Sequence, residues 1–113
     1  MRVLVIEDDP TMAMLFGNVL TSGAHEVTVR SSEFESVVDD VDWSQVDVAL
    51  VDQWLEDVDG KAILARLEAE HPYVRRIMLT ADQLVIPAET HAHRVLVKPA
   101  PLDVIRRVID EVS

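Results

Sequence analysis

The sequence predicts a doubly wound α/β domain, a parallel sheet with helices on both faces, and three observations predict it. Five short apolar runs, rich in β-branched residues, alternate with stretches whose apolar residues recur at helical spacing. Three of those runs end in charged stations: Glu7-Asp8-Asp9 after Arg2–Ile6, Asp52 after residues 46–51, and Lys98 after residues 95–97. No repeat, linker or low-complexity tract interrupts the alternation over 113 residues, a length suited to one domain with a single core.

Each element has a local reason. After the first strand, Asp9 is placed as an N-cap with Pro10 in the first helical turn, and Met12, Leu15, Phe16, Val19 and Leu20 then repeat at helical spacing until Ser22-Gly23. Glu26–Arg30 alternates as a short strand. Ser32-Glu33-Phe34-Glu35 fits a capping box that opens a second helix with Phe34, Val37, Val38 and Val41 inward. Residues 46–51 form the buried central strand, and Asp59-Gly60 turns into a third helix that carries Ile63, Leu64 and Leu67 and stops before Pro72. Residues 76–79 make a fourth strand ending at Thr80-Ala81. Only seventeen residues then separate Thr80 from Lys98, and Pro87 sits among them, so the fourth helix must be short or irregular. Residues 95–97 are the fifth strand, and Leu102, Ile105, Ile109 and Val112 line a last helix.

Composition excludes several functions. With 21 acidic against 10 basic residues and a formal net charge of −11, the domain is not expected to bind a nucleic-acid backbone or an anionic membrane directly. The absence of cysteine excludes disulfides and thiolate metal sites. No apolar stretch approaches the ~18 residues of a membrane span and no basic-then-apolar leader follows Met1, so a soluble, cytoplasmic protein is expected.

In a parallel sheet the carboxyl ends of the strands lie side by side, so Glu7, Asp8, Asp52 and Lys98 face one crevice, where open α/β sheets place their ligands. Carboxylates ~5 Å apart repel by roughly 3 kcal/mol per pair at an effective dielectric of ~20. One ammonium cannot balance three of them, and the arrangement asks for a hard divalent cation with oxygen ligands, Mg²⁺ being the natural candidate. The crevice therefore suits metal-assisted phosphoryl chemistry.

Four strings carry a family likeness: residues 3–10, Val-Leu-Val-Ile-Glu-Asp-Asp-Pro; Asp47 through Asp52 followed by Asp59-Gly60; Met78-Leu79-Thr80-Ala81; and Val97-Lys98-Pro99. In this order, each at a strand end, they resemble the receiver domain of two-component response regulators across essentially the whole chain. The resemblance implies a flavodoxin-like (βα)₅ fold of strand order 2-1-3-4-5. It also implies that Asp52 accepts a phosphoryl group from the phosphohistidine of a sensor histidine kinase or a histidine phosphotransfer protein. Asp8 and Asp52 would ligate Mg²⁺ directly, Glu7 through a coordinated water, and Trp54 by its backbone carbonyl. Lys98 would pair with a phosphoryl oxygen, Thr80 would offer its hydroxyl to another, and the Ala81 backbone N–H would assist. Lys98-Pro99 would be a cis peptide aiming the ammonium inward. The first helix, including Thr11 and Asn18, would dock the kinase.

Several residues have plainer readings. Asp9 is a helix cap, Trp43 packs at a helix end, and the pair His91 and His93 belongs to exposed helix or loop. Trp54 borders the path of a water attacking the acyl phosphate. Against the family pattern, Glu56 stands where proline is usual, Val95 where tyrosine or phenylalanine is usual, His93 and Arg94 where acids are common, and Ala100 where an aromatic is common. These departures fall on the surfaces that communicate rather than on those that do chemistry.

The expected protein is thus a receiver domain over residues 1–113 with no output domain in this chain, monomeric or weakly dimeric. It would catalyse only its own phosphorylation and dephosphorylation and would act on a downstream protein target. The alternative is a receiver-fold interaction module that works without phosphorylation. A haloacid-dehalogenase-type phosphatase is disfavoured, because the second acid it needs two residues past the nucleophile is Trp54 here.

Overall fold

Parallel strands β1 (Arg2–Ile6), β2 (Glu26–Arg30), β3 (Val48–Asp52), β4 (Arg75–Thr80) and β5 (Arg94–Val97) form one sheet in the order 2-1-3-4-5. The computed structural model describes residues 1–22, 25–30, 36–56 and 58–112, the side chains of residues 19–22 and 36–37 excepted. Helices α1 (Pro10–Ser22), α2 (Ser36–Asp39) and α3 (Gly60–Glu70) lie in the first three crossovers, and α4 (Leu102–Val112) follows the last strand. The capping box at residues 32–35, the inward placement of Phe34 and Val37, that of Val19 and Leu20, and the stop at Gly23 lie outside the described residues.

Alternation along the strands divides the core in two, as a sheet covered on both faces requires. Leu4, Ile6, Ala49, Val51 and Met78 face Val38, Trp43, Ile63, Leu64 and Leu67 on one side. Val3, Val5, Val48, Leu50, Ile77 and Leu79 face Phe16, Ile105, Val108 and Ile109 on the other. Every residue of β3 is buried, which explains the unbroken apolar run that precedes Asp52. Val46 and Asp47 precede the strand rather than opening it; the Asp47 carboxylate accepts from the Arg2 backbone N–H at 2.8 Å.

Two helical faces differ from the periodicity. Leu15 is 39% exposed while Phe16 is buried and Met12 packs partly against the same cluster, because α1 turns its i, i+4 row of Met12 and Phe16 toward the sheet. In α4, Val108 joins Ile105 and Ile109 in the core. The caps follow the sequence: Asp9 Oδ1 accepts from Thr11 N–H at 2.9 Å, and Asp59 Oδ1 from Lys61 N–H at 2.9 Å.

The fourth crossover contains no α-helix, only a 3₁₀ turn at Pro87–Glu89. Arg76, buried at 6% exposure on β4, substitutes for the missing packing by hydrogen bonding. Its guanidinium donates to the carbonyls of His91 at 2.7 Å, Val74 at 3.2 Å and Pro72 at 3.3 Å and reaches Glu68 at 3.4 Å. His91, in the left-handed region at φ 61°, and His93 are exposed loop residues, but His93 Nδ1 accepts the Arg76 backbone N–H at 2.9 Å. Partial burial of the ring, then the charges of Arg76 and Arg75, lower the His93 pKa, a shift in favour of the neutral ring that can accept. Trp43 opens the 3₁₀ turn Trp43–Gln45, is buried, and donates its indole N–H to the Val38 carbonyl at 2.8 Å.

Candidate functional site

Register brings the charged stations together. Ile6 pairs with Val51, Asp52 with Leu79, and Thr80 with Val97, so the residues that follow these pairs all emerge at one edge of the sheet. Backbone bonds fix the exits: Glu7 N–H to the Arg30 carbonyl at 3.0 Å, Gln53 N–H to that of Leu79 at 2.8 Å, and Lys98 N–H to that of Thr80 at 2.7 Å.

At the centre, Lys98 Nζ lies 3.0 Å from Asp52 Oδ2 and 3.9 Å from Glu7 Oε2. Both carboxylates are buried, each at 5% exposure. Glu7 Oε1 accepts from Asp9 N–H at 3.1 Å, whereas the buried Oε2 has no hydrogen-bond partner. Burial pushes the Glu7 pKa up to about 7, against the Asp9 hydrogen bond, with the Asp52 charge adding to the rise. The Lys98-Pro99 peptide is cis.

Asp8 lies at the rim, and its Oδ2 accepts from Glu56 N–H at 2.6 Å. A proline at residue 56 would lack that donor, so the departure at this position ties the loop after β3 to the acidic station after β1. Among the described residues no three acids or imidazoles already converge on a common point as a metal cage. Lys98 and the Glu56 N–H offset part of the crowding expected of Glu7, Asp8 and Asp52.

Trp54 is 59% exposed two residues past Asp52; its N–H donates to Asp52 Oδ1 at 3.3 Å, and it pairs in an isolated antiparallel bridge with Asp59. Gly60 N–H donates to the Gln53 carbonyl at 2.7 Å. A Cβ at Gly60 would overlap the Asp52 carbonyl oxygen and stand 2.9 Å from Asp52 C and from Gln53 Cα, so glycine is required here by close approach of the backbone. Ala81, exposed, follows Thr80 at the strand end.

Thr80 departs from the arrangement that the sequence suggests. It is fully buried, and its hydroxyl donates to Gln53 Oε1 while accepting from Asp82 N–H at 2.9 Å. Gln53, 1% exposed, is the residue that sequence reasoning passed over. Its signal was present: a glutamine directly after the acid that closes an all-apolar strand is a polar group in a place built for burial.

Fold and site together define a doubly wound α/β domain with a lysine facing buried carboxylates at the strands' carboxyl edge. Residues 3–110 match the family model described as the response regulator receiver domain, and the chain belongs to that family, a signalling module of two-component systems. The transcriptional regulatory protein TcrA of Mycobacterium tuberculosis is 34% identical over 80 residues, 71% of this chain but 31% of the relative's length. A response regulator receiver domain protein from Clostridium thermocellum superposes with TM-score 0.85 at 23% identity, covering 98% of this chain and 92% of that one. The response regulator TrrA of Thermotoga maritima has TM-score 0.84 at 18% identity, covering 98% and 97%, in a structure with the histidine kinase ThkA. It has also been solved with Mg²⁺ and beryllium fluoride.

Proposed function

We propose that this domain takes a phosphoryl group on Asp52 from the phosphohistidine of a histidine kinase or histidine phosphotransfer protein. The observation that carries the reading is Lys98 Nζ at 3.0 Å from Asp52 Oδ2, beside a buried Glu7 oxygen that has no hydrogen-bond partner. An Asp52 carboxylate oxygen attacks phosphorus, the P–N bond breaks with its electron pair going to the imidazole, and an acyl phosphate results.

The donor set, all oxygen, fits Mg²⁺, and a buried Glu7 oxygen without a hydrogen bond is the kind of atom a cation satisfies. Asp8 and Asp52 would hold the ion directly, Glu7 through a water, and Trp54 by its backbone carbonyl. When bound, the ion offsets the negative charge of the phosphoryl oxygens. Lys98 moves from Asp52 to a phosphoryl oxygen, and the Thr80 hydroxyl and Ala81 N–H bind the others. Kinase docking falls to the surface of α1 around Thr11 and Asn18, both on a helix that flanks the site.

We assign the module to the cytoplasm, as a monomer or weak dimer that signals by protein–protein contact or through a linked effector. The net charge of −11 leaves direct nucleic-acid or membrane binding to partners. It performs only its own phosphorylation and dephosphorylation and turns over no other substrate. A second reading, interaction without phosphorylation, draws on the engagement of Thr80 with Gln53 and on Val95 in place of an aromatic.

Intact mass after incubation with Mg²⁺ and acetyl phosphate separates the two. A phosphoryl adduct on the wild type, absent from Asp52→Asn and lost when EDTA removes Mg²⁺, supports the phosphoacceptor. No adduct on folded protein that binds Mg²⁺, with acetyl phosphate or a phosphorylated kinase as donor, supports the phosphorylation-independent module.

A further inference from the structure

Gln53 and Thr80 stand at the ends of adjacent strands, both essentially without solvent contact. The Thr80 hydroxyl has one proton, and it is given to Gln53 Oε1; a lone pair of the same oxygen takes Asp82 N–H at 2.9 Å. A hydroxyl that donates to Gln53 cannot donate to a phosphoryl oxygen at the same time. Gln53 cannot follow Thr80 by backbone movement either. Its N–H is bound to the Leu79 carbonyl at 2.8 Å, and its carbonyl receives Gly60 N–H at 2.7 Å across a contact with no room for a Cβ.

We infer that Gln53 is a positioning residue that competes with any acyl phosphate on Asp52 for the single Thr80 hydroxyl proton, and so sets how tightly the site holds a phosphoryl group. The inference rests on the phosphoacceptor reading of Asp52. In the free protein the bond ties the end of β3 to the end of β4. On phosphorylation Thr80 turns to its new acceptor, and the buried Gln53 carboxamide must find another donor by rotating its side chain alone.

The test is the affinity of the full chain for BeF₃⁻ with Mg²⁺, an acyl-phosphate mimic, read by isothermal titration and by the fluorescence of Trp54. Gln53→Met keeps the length and removes the acceptor; Gln53→Asn keeps the carboxamide and shortens its reach. Each should bind BeF₃⁻ roughly 3- to 10-fold more tightly, the loss of one competing hydrogen bond. The gain should vanish when either change is combined with Thr80→Val, and return with Thr80→Ser. The Asn variant guards against a Met variant that folds poorly. Equal or weaker binding in both folded variants overturns the inference, as does a gain that persists with Thr80→Val. A wild type that binds Mg²⁺ but takes no BeF₃⁻ overturns the phosphoacceptor reading itself, and the role of Gln53 falls with it.

Discussion

Replacing Glu7 with glutamine should stabilise the metal-free protein, by an amount set by pH. Burial is the main cause that raises the Glu7 pKa from 4.5 to about 7. At ~1.36 kcal/mol for each pH unit, that interval amounts to roughly 3 kcal/mol. The folded state holds the proton more tightly than the unfolded chain. The contribution of Glu7 is therefore fully present below about 4.5 and is lost as the pH rises through about 7. Glutamine resembles the protonated form at every pH, so the advantage of Glu7→Gln over the wild type should grow from about 1 kcal/mol near pH 5.5 to about 3 kcal/mol near pH 8. For a domain of this size that is a rise in Tm of roughly 10 °C at the higher pH. Thermal melts of both proteins in EDTA at the two pH values provide the measurement, and the difference between the proteins isolates Glu7 from the other titrating groups. Saturating Mg²⁺ should shrink the advantage, since the cation would take the proton's place beside the wild-type carboxylate. An advantage of the same size at both pH values would refute the reasoning, because a packing effect carries no proton.

Gly60→Ala should destabilise the domain by about 1–3 kcal/mol, since the new methyl overlaps the Asp52 carbonyl and the backbone must move; an unchanged urea midpoint would count against the close approach. Arg76→Met leaves the carbonyls of His91, Val74 and Pro72 without their donor and should cost about 2–3 kcal/mol. Faster amide exchange should concentrate in residues 81–93, and a uniform change across the sheet would contradict the stapling role. Trp43→Phe removes the donor to the Val38 carbonyl and should cost about 1 kcal/mol, read from the same urea titration, with no loss meaning that this bond adds nothing net.

The elements of the fold were legible because they follow from local patterns. Period-2 alternation and β-branched runs mark strands, 3.6-residue spacing marks helices, and Asp9-Pro10 and Asp59-Gly60 mark helix starts. The crowding of Pro87 and few residues into the fourth crossover was enough to forecast a short or irregular helix there, and the crossover holds only the 3₁₀ turn Pro87–Glu89. Once the strands are parallel, the gathering of Glu7, Asp8, Asp52, Thr80 and Lys98 at one edge follows from strand ends alone. Boundaries were less legible: Asp47 reads as part of the central strand until its carboxylate is seen to be taken by Arg2, 45 residues away.

What tertiary structure alone decided are the partners each side chain takes. Gln53 meets Thr80 across 27 residues of sequence, Lys98 meets Asp52 across 46, and the Glu56 N–H meets Asp8 across 48. No periodicity encodes such pairings, because a buried hydroxyl, carboxylate or guanidinium takes whichever partner the packed strands bring within about 3 Å. The sequence by itself determined where the charged and polar groups stand along the sheet edge. Packing decided that Glu7 is deprived of water and has its pKa raised, that Arg76 bonds the loop that replaces a helix, and that Thr80 faces Gln53, since burial and hydrogen-bond competition exist only once distant strands lie side by side.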